Sequence, residues 1–138
     1  MIDTNKVVIM ALTLAKFQLI ESSLKVYLVE CEIAQDRLNG KLKETYSVGP
    51  LSDISYGLLL KRYKKVCIDE SLFKRLLALK DYRNYLAHQA FISVLDMSIE
   101  QKQFIGVNPV IIDYQKLNTE LDECVALLIQ DRNLVIKN

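Results

Sequence analysis

The sequence predicts an all-α fold, an up-and-down bundle of four to five helices, and three observations predict it. Apolar residues recur every three or four positions over long stretches, the spacing of one helix face. The strongest breakers, Asn39-Gly40, Gly49-Pro50, Gly106 and Asn108-Pro109, fall in the gaps between those stretches. Half the chain is hydrophobic and its 138 residues suit one domain with a sizeable core, so disorder is not expected.

The first helix is expected from Thr4, a plausible N-cap, to Leu38, with Gly40 as a left-handed cap. Its stripe is read as Ile9, Leu12, Ala15, Leu19, Leu24, Leu28 and Cys31, widened by Val8, Phe17, Ile20 and Tyr27. At about 1.5 Å per residue such a helix is about 50 Å long, so it bends or packs partly on a second subunit. Glu21 and Gln18 either face a functional cleft or belong to a solvated or locally paired polar face. Val7 to Leu12 is apolar but falls far short of the roughly 20 residues that span a bilayer. No membrane association is expected. Asp3, where a signal peptide wants positive charge, argues against one.

A second helix is expected from Ser52 or Asp53, one of which caps it, to Val66, with Tyr56, Leu58, Leu59 and Leu60 in the core. Lys61-Arg62-Tyr63-Lys64-Lys65 is the densest positive charge in the chain. It suits a helix C-terminus with a solvated face. It also suits RNA, the cations steering phosphates and Tyr63 stacking a base. A third helix opens at Asp69 or Glu70 and runs unbroken to the mid-nineties, with Leu72, Leu76, Leu79, Leu86 and Ala90 on one side. Ile92 to Gln103 is ambiguous between helix end and packed loop. The last helix runs from about Val110 to Val135 on Ile111, Tyr114, Leu117, Leu121, Cys124, Val125 and Leu128.

Composition narrows the function. Eighteen basic and seventeen acidic residues leave the chain nearly neutral, without the basic excess of a non-specific nucleic-acid binder. Any RNA site is therefore a local patch. Cys31, Cys67 and Cys124 are odd in number and widely spaced, which yields neither a disulfide framework nor a zinc site. They read as reduced, mostly buried thiols in a cytoplasmic protein. One histidine makes a His-based metal centre within a subunit implausible, and no cofactor is expected.

That histidine, His88, stands in Lys80-Asp81-Tyr82-Arg83-Asn84-Tyr85-Leu86-Ala87-His88-Gln89-Ala90-Phe91, inside the third helix. Asn84 and His88 share a face, being four apart. Arg83 is about 140° round from His88 at about 100° per residue, and its long stem can swing back. An imidazole titrates near cellular pH, and a guanidinium fits phosphate oxygens as a planar fork. A base beside a phosphate clamp is enough to activate an RNA 2′-OH without metal, with Asn84 setting the imidazole tautomer. The same residues also suit structural roles, Asn84 and His88 satisfying each other and Arg83 pairing with a carboxylate. Tyr82 and Tyr85 contact bases or act as buried or interface aromatics with wet hydroxyls. Asp81 suits a structural salt bridge better than a catalytic orienter.

Arg83, Asn84, Ala87 and His88 match the form Arg-Asn-x-x-Ala-His, and the chain resembles the HEPN superfamily. Lys16 to Lys25 resembles, more loosely, the opening helix of such domains. The resemblance implies a single HEPN-like domain over residues 1–138 that forms a homodimer, two motif helices facing each other across a cleft. It implies metal-independent endoribonuclease activity on an RNA substrate, often as a toxin or phage-defence component, with Arg83 and His88 catalytic and Asn84 a polar helper. One branch continues His-x-Tyr, the tyrosine being modified by a nucleotidyltransferase antitoxin. This chain has Ala90 there and departs from that branch. Chemistry adds its own reason for a dimer. Phosphodiester cleavage benefits from a base and an acid, and a two-fold axis supplies the second imidazole. The alternative is a catalytically silent helical module that binds RNA or a partner protein.

Overall fold

A computed structural model describes residues 4–95 and 111–137. The protein is all-α, and no strand occurs among the described residues. The helices are α1 (Thr4–Leu38), α2 (Tyr56–Val66), α3 (Glu70–Ala78), α4 (Lys80–Leu95) and α5 (Tyr114–Lys137). A short 3-10 turn, Gly49–Leu51, lies in the loop between α1 and α2.

α1 is the helix on which the others assemble. Its most extensive contact is with α5, which runs beside it in the same direction. Thr13 accepts from Asn118, Lys16 meets Asp122, and Glu30 meets Arg132 further along both helices. α2 also runs parallel to α1, Phe17 packing edge-on to Tyr56 and Tyr27 edge-on to Tyr63. α3 turns back along α2, so that Tyr56 donates to the Leu76 carbonyl at 2.7 Å while Tyr63 packs near Phe73. The core is the meeting of Phe17, Ile20, Leu24 and Tyr27 with Leu59, Leu60, Leu72, Leu76, Leu86, Leu121 and Leu128.

Several local expectations hold. α1 has the expected span, Gly40 is left-handed at φ 66°, and Asp69 caps α3 by accepting from the Leu72 N–H. Others need correction. α2 begins at Tyr56 and is capped by Ser55, which accepts from the Leu58 N–H, rather than by Ser52 or Asp53. α5 begins at Tyr114, where the Asp113 carboxylate accepts from the Lys116 N–H, and Ile111 before it is 98% exposed instead of core. Leu58 is likewise exposed. The single third helix is two helices, broken at Leu79. No glycine or proline makes this break. The Leu79 N–H turns to the Leu76 carbonyl, a tightened last turn, and buried Leu76 and Leu79 hold the bend by packing. The expectations for Asp96 to Gln103 and for Gly106 to Val110 lie outside the described residues.

The inward face of α1 also differs from the stripe read in the sequence. Met10, Thr13, Phe17, Ile20, Leu24 and Tyr27 are buried, whereas Val8, Ile9, Leu12 and Leu19 are exposed. Apolar residues surround this helix almost evenly, so periodicity does not single out the buried side. The apolar run also extends well past Leu12. By length and composition α1 is long and apolar enough to cross a membrane, and its inner face is core in this fold.

Candidate functional site

The motif sits within the first nine residues of α4, and the break at Leu79 sets its direction. With Leu79 kinked and α3 tied to the start of α2 by Tyr56, Lys80 crosses over Gly57. A Cβ at Gly57 would lie 3.2 Å from Lys80 Cε and 3.3 Å from its Nζ. The small residue at 57 is what lets the ammonium lie there.

Arg83 leans toward α1. Its Nε donates to Glu21 Oε1 at 2.8 Å, with Glu21 the more deeply buried of the two. Glu21 is therefore locally paired, and its partner is the motif arginine. The contact uses Nε, and the two terminal nitrogens of the guanidinium make no hydrogen bond among the described residues. Arg83 and Asn84 line a cavity of about 310 Å³ together with Gly57, Lys61 and Lys80. Lys61 and Lys80 form no ion pair among the described residues, and no carboxylate lines the cavity.

His88 is exposed one turn beyond Asn84, on the same face. The expected Asn84–His88 hydrogen bond is not formed, and neither side chain is hydrogen-bonded among the described residues. Both are exposed, so the imidazole is open to solvent. Asp81 is exposed and makes no salt bridge among the described residues, contrary to expectation. Tyr85 is half-buried, and its hydroxyl accepts from Gln89 at 2.8 Å. Tyr82 is half-buried against the core.

The basic cluster of α2 divides around the helix. Lys61 faces the motif cavity, Arg62 and Lys65 line a separate groove near Lys43, and Lys64 lies over the Phe73 ring. Tyr63 does not stack a base. It is wholly buried, and its hydroxyl donates to the buried Asp131 carboxylate at 3.2 Å. A residue every three or four positions must face inward on a packed helix, and Tyr63 holds that register with Tyr56, Leu59 and Leu60.

The cysteines are free, Cys124 buried and the other two half-buried. Burial pushes all three thiols up, Cys124 to about 11, so none is a ready nucleophile. Among the described residues no group of three or more His, Cys, Asp or Glu is placed to hold a metal ion. The residues the sequence did not single out are Gly57 and Lys80. Lys80 was legible as a charge at the head of the motif, but nothing local linked it to α2. Comparisons with protein-family models, with curated proteins and with solved structures each give no match.

Proposed function

We propose that this protein is a metal-independent endoribonuclease of the HEPN type, working as a homodimer in which two motif helices share one cleft. The observation that supports it is an exposed imidazole on the same helix as a guanidinium that, among the described residues, is held through Nε alone at a cation-lined cavity. In this reading His88 takes the proton from a ribose 2′-OH. The 2′ oxygen attacks the adjacent phosphorus, the bond to the 5′ oxygen breaks, and the second subunit's imidazole protonates the leaving group. The products are a 2′,3′-cyclic phosphate and a 5′-hydroxyl. The terminal nitrogens of Arg83 stabilise charge developing on the phosphate oxygens, and Asn84 orients the imidazole when substrate brings them together. A role as a toxin or defence component, countered by an antitoxin, belongs to the same proposal.

The test is RNA cleavage in excess EDTA by wild type, Arg83→Ala and His88→Ala. Cleavage by wild type alone, with cyclic phosphate ends, is the expected result, general acid–base catalysis being worth about 10²–10⁴ in rate. The Arg83–Glu21 pair favours a second reading, in which Arg83 is an interhelical tie and the domain only binds RNA or a protein partner. A folded wild type that cleaves no RNA, with Arg83→Ala losing stability, would select that reading.

A further inference from the structure

We infer that the cavity between α2 and α4 is a phosphate-binding subsite for single-stranded RNA, with Lys61 and Lys80 as its ligands beside Arg83 and Asn84. The inference rests on the ribonuclease reading for its choice of RNA, and the site itself stands on geometry. Three cations from two helices converge on one cavity that has no carboxylate in its lining. In a chain with eighteen basic and seventeen acidic residues this is a local imbalance. Glu21 offsets part of one charge, and Lys61 and Lys80 have no partner among the described residues. The end of Lys80 lies over the Gly57 backbone, where a side chain at 57 would push against it. The first turn of α2 carries no acidic residue that would offset it.

Bringing like charges together costs energy unless a counter-ion is present. A phosphodiester supplies one negative charge and two free oxygens, enough to bridge the three cations. The cavity's volume matches the lower end of small-ligand clefts, about 300 Å³. It lies one helical turn from His88, on the side of Asn84. The phosphate held there is therefore a neighbour of the scissile one, and the subsite sets the register of the strand rather than performing the cleavage. Arg83 lines the subsite and, in the ribonuclease reading, also reaches the scissile phosphate.

The decisive variants are Gly57→Asp and Lys80→Gln, made in a His88→Ala background so that RNA survives the measurement. Gly57→Asp places a carboxylate in the cavity. The nearest atoms that its Cβ meets belong to the flexible end of Lys80, and Asp replaces Gly in a helix first turn, so the fold is expected to be kept. Binding of a fluorescein-labelled 12-nucleotide RNA is followed by anisotropy across a salt series. Each variant is expected to weaken Kd about tenfold and to flatten the salt slope by about 0.7, the loss of one phosphate contact on a single strand. Lys41→Gln, on the exposed loop after α1, leaves both unchanged. Unaltered Kd and slope in both variants, or no RNA binding by the parent, would overturn the subsite. So would displacement of RNA by ATP far below the concentration at which inorganic phosphate acts, since that marks a nucleotide pocket. The two readings fail separately. Wild-type cleavage with an unmoved Kd removes the subsite and keeps the nuclease; weakened binding without any cleavage does the reverse.

Discussion

Two seams of this protein treat charge in opposite ways. Where α5 meets α2 and α3, polar groups are saturated. Arg75 donates to Glu120 through Nε at 3.1 Å and again through Nη2, and it reaches Glu123 at 2.6 Å as well. Tyr63 donates to the buried Asp131. Where α4 meets α1 and α2, three cations line one cavity, only Arg83 among them has a carboxylate partner, Glu21, among the described residues, and His88 is exposed. An arginine with two acids has its fork filled and ties helices together. An arginine held by one edge keeps donors for something else. In a nearly neutral chain, full pairing in one place leaves the surplus in another, and here the surplus gathers around the motif.

The largest expected effect separates the two arginines. Arg83→Ala lowers RNA cleavage by about 10²–10³, the cost of a lost donor to a developing oxyanion. Arg75→Ala leaves cleavage within about twofold in the same assay. Equal losses would erase the distinction between the seams. Next comes Tyr63→Phe, which keeps the ring and strands the Asp131 carboxylate. It is expected to cost about 1–3 kcal/mol of stability in denaturant unfolding, with RNA affinity unchanged. A change in affinity instead would return Tyr63 to the surface role that its burial denies. Arg75→Ala is expected to cost less, about 1 kcal/mol, because the pair is only partly buried, and the cost should shrink at high salt. A salt-independent loss would mean that Arg75 acts through packing.

The smallest effect is a pH dependence. Burial raises the Asp131 carboxyl above the ordinary aspartate range, partly offset by the Tyr63 hydrogen bond and reinforced by nearby Asp69. The folded state therefore holds this proton to higher pH than the unfolded chain. Its contribution to stability is greatest below the ordinary aspartate pKa of about 3.9 and is lost as pH rises through the raised value. Asp131→Asn removes that dependence. Thermal melts at pH 7 and pH 5 should give a smaller difference for the variant than for wild type, and an identical difference would clear Asp131 of the role.

Much of the helical pattern was legible because its causes are local. Thr4 to Leu38 reads as one helix from composition and its closing Gly40, and Asp69 announces α3. What misled was the face of α1, where apolar residues on every side gave periodicity nothing to choose between. The break at Leu79 had no glycine or proline to betray it, since packing of Leu76 and Leu79 makes it. At the site, residue spacing put Asn84 and His88 on one face before any fold was known. The charge cluster of α2 was visible as a cluster, but not its division into Lys61 toward the motif, Tyr63 into the core, and Arg62 and Lys65 toward another groove.

The sequence by itself determined an all-α chain, the caps at Gly40 and Asp69, and the grouping of Arg83, Asn84 and His88 on one short helical stretch. All follow from interactions within a turn or two of backbone. Only the tertiary structure decided that Glu21 anchors Arg83 from 62 positions away, that Gly57 makes room for Lys80, and that Tyr63 ends on Asp131. Those partners depend on how helices cross, and crossing is settled by which side chains interlock in a shared core, a property no single helix carries.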